Sequence, residues 1–416
     1  MRLRKRAVGL ASGAGVLFLL GTNVQAGWLF VLCALLLGTV VSGVLLPGRM
    51  LRGIEVDRRA PAEVVQGEEA FVELIVTDRA RGVKLGLTLE DPHVNPTRLY
   101  VTKVLPGERV ELVTVRRALK RGVHEASAVT LRSAAPFGVA ERRRIIQVAG
   151  STIVLPAVIP LGALPFLALD SDPERASRSV SRRGTGPEFL GIREYRPGDS
   201  PRHVHWPSTA RTGMVMVREL EQQRSRRIAI VIDTLTDVGD AGTPLDACCT
   251  AAASIARVAF TEGHRVRFVV SGPRVTVEVS DDVDDGSFRR RLAAVVPDGA
   301  ALAEVVDRGA EAFRDIDTVV LIFPTWRSNG EAALGRAIGT LTAAGTRVVA
   351  IPVEVGPRDA RRVAALRVQE VEGAVRMLDQ AGADTYLWRH ETNLVDVLAV
   401  ERALPGRTLP GRTEMA

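Results

Sequence analysis

The sequence predicts a multidomain chain with an N-terminal transmembrane helical hairpin, an immunoglobulin-like β-sandwich and a C-terminal doubly wound α/β domain. Three observations predict it. Residues 7–48 carry no charge, residues 54–147 break into short strand-like runs between turn residues, and beyond residue 226 continuous apolar runs alternate with helix-like ones. At 416 residues and 46% hydrophobic content, the chain has material for more than one core.

The uncharged stretch is bounded by "MRLRKR" and "RMLR". One span needs about 20 apolar residues, so residues 7–48 hold two, with spans expected at about 7–23 and 28–46. The polar break "TNVQAG" supplies the turn, and Trp28 sits where interfacial aromatics prefer to lie. A cleaved signal peptide is the rival reading, with Val24-Gln25-Ala26 as its small-residue site. In both readings Arg49 and Arg52 flank the stronger span, and basic flanks stay on the cytoplasmic side. The expectation is a plasma-membrane protein with two spans in the lipid bilayer and the bulk of its chain in the cytoplasm.

Residues 54–150 are expected to form the sandwich, from runs such as "FVELIVTD", "VKLGLTLED", "RVELVTVRRAL", "ASAVTLRSA" and "RRIIQVA". Residues 151–186, rich in Pro, Gly, Ser and Arg, read as a linker. Residues 187–400 are assigned to a signature motif followed by the α/β domain. There "RRIAIVIDT" is a buried strand ending at Asp233, and "LDACCTAAASIARVAFTEG" is the helix after it. Strands "HRVRFVVSG", "RVTVEVS", "DTVVLIF" and "TRVVAIPVE" and helix "EAALGRAIGTLTAAG" continue the alternation, which predicts a parallel sheet with its crevice at the strand C-termini. The tail, 401–416, carries the short polar repeat "LPGRTLPGRT" and is expected to be disordered. The three cysteines, Cys33, Cys248 and Cys249, form neither a disulfide framework nor a CxxC metal pattern.

The formal charge is +7, and all but four of the 55 basic residues are Arg. Their distribution matters more than their number. From Arg175 to Arg227 there are 12 Arg against five acids, an excess equal to the charge of the whole chain. Inside that region, "FLGIREYRPGDSPRHVHWPSTARTG" crowds Arg193, Glu194, Tyr195, Arg196, Gly198, Asp199, Arg202, His205, Trp206 and Arg211 together. Pro197-Gly198 suits a type II turn and Ser200-Pro201 a helix start. His203 and His205 lack a Cys or Glu-x-x-His partner for metal, and Ser208 lacks a nucleophile elbow. Tyr195 and Trp206 could stack on bases, but acids interleave with the arginines, so no nucleic acid is expected as a partner. Interleaving favours forked Arg–carboxylate pairs that fix loops in place.

"EFLGIREYRPGDSPRHVHWPSTARTGMVMVRELE" resembles the signature of domain of unknown function 58, a bacterial family. Arg193, Glu194, Tyr195, Gly198, Asp199, Arg202, His205, Trp206, Ser208, Ala210 and Arg211 match its pattern, and "RGVHEASAVTLRSAAPFGVAERRR" is similar to the family's RG and PFG segment. The resemblance implies a von Willebrand factor A-like C-terminal domain. It also implies partnership with a MoxR-type AAA+ ATPase, and neighbourhood with a transglutaminase-like membrane protein, in complex or envelope assembly.

An A-type domain holds Mg²⁺ through D-x-S-x-S, a Thr and a further Asp, because hard oxygen donors must converge on the ion. Here Asp233 matches the first position, while Leu235 and Asp237 stand in place of the serines, and Pro324, Thr325 and Trp326 follow "VVLIF" with no carboxylate before Glu331. The expectation is a degenerate site without metal or other cofactor. The chain then reads as a non-enzymatic interaction protein whose motif is a partner dock or an internal brace. The alternatives are a metal-dependent A-type binder and a hydrolase using His205 and Asp199.

Overall fold

The computed structural model describes residues 2–3, 5–167, 189–196, 199, 201–220, 225–234, 244–272, 276–282, 284–297, 302–324, 331–354, 364–389 and 392–399. The chain divides into two compact units. The first is Met1–Val158 with Asp237–Ala253 and Gly286–Pro297, and the second is Ile159–Thr236, Ser254–Asp285 and Asp298–Ala416. Segments 237–253 and 286–297, which the sequence placed in the C-terminal domain, thus belong with the sandwich.

The first unit opens with helices α1 (Lys5–Val24) and α2 (Gly27–Met50), both long and apolar enough to cross a membrane, with mean hydropathy 1.6 and 2.7. They turn at Gln25, whose φ is +51°. Ala7, Ala14 and Gly21 are the buried residues of α1, seven apart, so a seam of small side chains lets the helices approach closely. At its far end α2 runs straight into the sandwich. A Cβ on Gly43 would stand 2.7 Å from Val139 Cβ, so only glycine fits there. Lys84 Nζ donates to the Arg49 carbonyl at 3.2 Å and an Arg144 guanidinium N–H to that of Leu51 at 2.9 Å. Both cations sit at the negative end of the α2 dipole.

The strands of this unit are β1 (Arg2–Leu3), β2 (Ile54–Arg59), β3 (Glu63–Val65), β4 (Glu69–Asp78), β5 (Lys84–Asp91), β6 (Thr97–Val104), β7 (Arg109–Arg117), β8 (Gly122–Glu125), β9 (Ala128–Ser133), β10 (Ala140–Gln147) and β11 (Ser151–Leu155). They form sheets ordered β1-β10-β9-β5-β6, β2-β4-β7 and β3-β11-β8. Alternation drives the packing: Ile54 and Val56 of β2, Leu74 and Val76 of β4, Leu87 and Leu89 of β5, and Val129 and Leu131 of β9 point into one core. Strand β11 corrects the linker expected from residue 151, because "STIVL" pairs parallel to β3 and antiparallel to β8. A linker beginning at 151 also fails in the second unit, where Leu164, Phe166 and Leu167 are buried and Arg226 and Arg347 donate to the Phe166 carbonyl at 3.4 and 3.3 Å.

A charged cluster crosses the sandwich interior. Asp91 accepts from Arg58 at 2.6 and 3.2 Å and from Arg116 at 2.8 Å, and all three side chains are fully buried. Beside them Thr152 Oγ1 donates to the Pro61 carbonyl at 2.7 Å, so it accepts from His93 Nε2, 2.9 Å away, which makes His93 the neutral Nε2–H tautomer. Burial, followed by the charge of Arg58, lowers the His93 pKa to about 4. The unfolded imidazole titrates near 6.5, so between about pH 6.5 and 4 the unfolded chain binds the extra proton. Stability contributed by His93 is therefore complete above pH 6.5 and is lost as pH falls towards 4. A fall in Tm of the detergent-solubilised chain between pH 7 and 4.5 is expected, with a shallower slope in His93→Gln; equal slopes would refute the assignment.

Segments from later in the sequence dock on this unit through Arg121. Its Nε pairs with Asp246 at 3.1 Å and one terminal N–H group reaches the carbonyls of Leu292, Ala293 and Val295. Arg290 pairs with Glu63 at 2.5 Å and Arg289 donates to the Pro156 carbonyl at 3.0 Å.

The second unit carries β12 (Phe189–Glu194), α3 (Trp206–Thr212), β13 (Met216–Leu220) and a larger sheet. The sheet is built from β14 (Arg227–Ile232), β15 (Arg265–Gly272), β16 (Thr276–Asp282), β17 (Thr318–Pro324), β18 (Arg347–Glu354), β19 (Ala383–Thr385) and β20 (Trp388–Arg389). Of the helices that intervene in or follow these strands in sequence, α4 (Pro244–Thr261) contributes its residues from Ser254 onward to this unit, α5 (Asp285–Ala294) belongs to the first unit from Gly286 onward, and α6 (Leu302–Arg308), α7 (Glu331–Ala343), α8 (Ala364–Gln380) and α9 (Leu394–Leu398) belong to the second. The order is β16-β15-β14-β17-β18-β19, with β20 also beside β18. All pairs are parallel except β15–β16, which corrects the all-parallel expectation: three residues between Gly272 and Thr276 are too few for a crossover, so β16 returns as an antiparallel edge. Helix α8 was not anticipated, and neither was β6. The core unites Ala229, Val231, Val319, Leu321, Val348 and Ala350 of the strands with Val305 and Val306 of α6, Leu334, Ile338 and Leu341 of α7, and Leu378. The tail, 401–416, lies outside the described residues.

Candidate functional site

The motif builds a small ribbon of its own. β12 and β13 pair antiparallel as a two-stranded sheet, Arg193 opposite Val217 and Glu194 opposite Met216. The second strand, within "MVMVREL", completes this ribbon with the preceding "FLGIRE" as its partner. Between the strands the chain folds through a 3-10 turn at Pro201–His203 and then α3, "WPSTART".

Arg193 locks the turn. Its two terminal nitrogens donate to the two Asp199 oxygens at 2.8 Å each, the forked geometry that best matches guanidinium to carboxylate. Asp199 Oδ2 also accepts the Arg196 backbone N–H at 2.7 Å, and Asp199 N–H returns a bond to the Arg196 carbonyl at 3.0 Å, closing a four-residue turn. The turn's central residues, Pro197 and Gly198, and also Ser200 lie outside the described residues. The carboxylate side chain is 11% exposed and the guanidinium 31%.

Thr209 performs the second fixing step, which the sequence reading missed. Its hydroxyl donates to the His205 carbonyl at 3.1 Å and accepts the Met216 N–H at 3.0 Å, tying the first turn of α3 to the start of β13. The signal was available, since Thr209 stands inside the S-T-A-R tetrapeptide. Gly213, with φ +74°, ends α3 in the left-handed conformation and returns its N–H to the Thr209 carbonyl. Backbone bonds from Tyr195 N to Val215 O and from His205 N to Met216 O, both 2.8 Å, finish the frame.

The predicted residues therefore separate. Arg193 and Asp199 are the internal clasp. Glu194, Tyr195, Arg196, Arg202, Trp206 and Arg211 are exposed, Trp206 at 71%, together with Met214 and Val215. His205 is half-buried and its Nδ1 lies 2.9 Å from Ser208 Oγ. Hydrolysis by His205 and Asp199 would need the two to act together, yet Asp199 serves Arg193 and Arg196 while His205 engages Ser208. Asp233 is buried at the end of β14 next to buried Thr234, and its N–H bonds to the Ile322 carbonyl at 3.0 Å. Among the described residues no three His, Cys, Asp or Glu converge to hold a metal. Leu235, Asp237, Thr325 and Trp326, on which the metal comparison turned, lie outside the described residues.

Among solved structures the chain is similar to the CARDB domain of a Pyrococcus furiosus protein, at 12% identity over 23% of this chain and 86% of that one, with a TM-score of 0.17. It is also similar to a Listeria innocua beta-glucosidase at 15% identity over 24% and 16%, TM-score 0.14. A third likeness is to a Vibrio harveyi exo beta-N-acetylglucosaminidase at 10% identity over 82% of each chain, TM-score 0.19. At such scores none of these carries an argument about fold or activity. Comparison with curated proteins finds no match. Residues 191–307, from within β12 to the last turn of α6, match the family described as "Protein of unknown function DUF58".

Proposed function

We propose that this chain is a membrane-anchored, non-enzymatic interaction protein whose ribbon motif docks a MoxR-type AAA+ ATPase at the cytoplasmic face. The single observation that carries the reading is the division of labour in the motif. A carboxylate clasp holds the ribbon from inside, while Trp206, Tyr195, Met214, Arg202 and Arg211 face solvent. Exposed tryptophan, tyrosine and arginine on a pre-organised frame are the residue types that anchor protein interfaces. The basic ends of the hairpin, Lys5 and Arg6 at one end and Arg49 and Arg52 at the other, support a cytoplasmic location for the bulk of the chain. A transglutaminase-like membrane protein is a further candidate partner.

We read the second unit as von Willebrand factor A-like. The order β16-β15-β14-β17-β18-β19 places the third strand of the large sheet at an antiparallel edge and its first strand at the centre, and Asp233 lies at the C-terminal end of that first strand. In this fold the strand ends are where ligands sit.

Binding of the detergent-solubilised full-length chain to the purified ATPase tests the reading. Trp206→Ala combined with Arg202→Glu is expected to weaken Kd by roughly thirtyfold or more, the effect of losing an interface anchor, with the circular dichroism spectrum unchanged. Equal binding by wild type and variant, or none by wild type, refutes it.

A further inference from the structure

Away from the motif, the first unit holds a polar cavity that runs up to the membrane hairpin. It is about 520 Å³, and its charged lining is Arg6, Arg98, Arg132, Glu90 and Glu141, a net single positive charge. Arg132 is clamped between the carboxylates, donating to Glu90 at 2.9 Å and Glu141 at 3.1 Å. Arg98 pairs with the other oxygen of Glu90 at 2.8 Å but is 77% exposed. Arg6 comes from the start of α1, and its guanidinium lies 3.7 Å from where a Cβ on Gly138 would be. Gly86, at φ +57°, keeps the cavity open: a Cβ there would meet Ala135 Cβ at 3.0 Å and the Tyr100 hydroxyl at 3.5 Å.

A second hollow of about 410 Å³ adjoins it. Its lining is Val31, Ala34, Leu35, Gly38, Thr39 and Ser42 of α2, with Phe137. Phe137 lines both hollows and is half exposed in spite of its size. The loop "AAPFG" between β9 and β10 thus stands where the basic end of the hairpin meets its apolar flank. One molecule that fills both hollows must carry an anionic polar end and an apolar chain.

We propose that this continuous site binds an anionic phospholipid, its phosphate against Arg6 and Arg98 and an acyl chain along the small-residue face of α2 beneath Phe137. The site rests on the hairpin spanning the bilayer. Charge complementarity selects the headgroup, and the apolar groove on a membrane helix selects a lipid over a soluble phosphate. Each basic residue near a membrane surface favours anionic lipid by about fivefold.

The test exchanges the full-length chain in mixed micelles of phosphatidylglycerol and phosphatidylcholine and measures the lipid that co-purifies by mass spectrometry. Preferential retention of phosphatidylglycerol is expected, reduced by at least about fivefold in Arg6→Gln/Arg98→Gln and also reduced in Phe137→Ser, with unchanged circular dichroism. Equal retention of both lipids, or a preference untouched by these variants, overturns the site. Displacement by glycerophosphoglycerol, which has the headgroup without acyl chains, overturns the lipid assignment. Flotation with neutral phosphatidylcholine vesicles in high salt separates the two readings: a chain that floats without lipid selectivity refutes the site alone, whereas one that does not float refutes the hairpin as well.

Discussion

Asp91→Ala is expected to destabilise the first unit by about 3–5 kcal/mol, the penalty for stranding buried charge. Arg58 and Arg116 are both fully buried, and Asp91 is the carboxylate that both contact. Without it two guanidinium ions face each other in a low-dielectric interior. The remaining acceptors, the carbonyls of Ala126 and Val148 for Arg58, and the His93 carbonyl and Thr114 hydroxyl for Arg116, stabilise N–H groups but do not neutralise charge. Asp91 Oδ1 also holds the His93 N–H at 3.2 Å, so the turn after β5 loosens as well. Denaturant unfolding of the solubilised chain measures the loss. Replacing the whole triad (Arg58→Met, Asp91→Leu and Arg116→Met) is expected to recover much of it, since apolar side chains of similar volume carry no desolvation cost. A single Asp91→Ala variant within 1 kcal/mol of wild type would show that water or rearrangement screens the site.

The second large effect belongs to the motif. Asp199→Ala should open the ribbon by about 2 kcal/mol, below the figure for a fully buried pair because Arg193 is nearly a third exposed. The variant loses three bonds to Asp199, two from the Arg193 fork and one from Arg196 N. Hydrogen exchange at the Tyr195, His205 and Met216 amides reads the opening, and a rise of roughly thirtyfold is expected. The charge swap Arg193→Asp/Asp199→Arg should restore part of the protection. The Trp206→Ala change should leave exchange untouched while weakening the partner. If Asp199→Ala leaves exchange at wild-type rates, the clasp is not what holds the ribbon.

How much of this was legible depended on range. The two apolar helices follow from residues 7–48 having no charge, and alternation in "FVELIVTD" or "AVTLRS" specifies which side chains face inward. The order of strands and helices after Arg227 was legible for the same reason, apart from α8, and in the sandwich β6 escaped because Lys103 and Arg98 interrupt a short apolar run. Within the motif, interleaved arginines and acids pointed to a forked pair, but not to which arginine or which acid. Thr209 escaped notice because its role requires β13 to return beside α3.

By itself, then, the sequence determined what a local stretch of chain can encode: long apolar helices, strand faces, turns and the kind of pairing in the motif. Only the tertiary structure decided that Arg58 meets Asp91 across 33 positions, that Arg121 draws residues 246 and 292–295 onto the sandwich, and that Phe137 lines one hollow with Arg6 and another with α2. Periodicity fixes which side of an element is buried, since it depends only on helical and strand geometry. Which distant side chain arrives opposite depends on sheet order and register, and these are settled when the apolar faces of the whole unit are buried together.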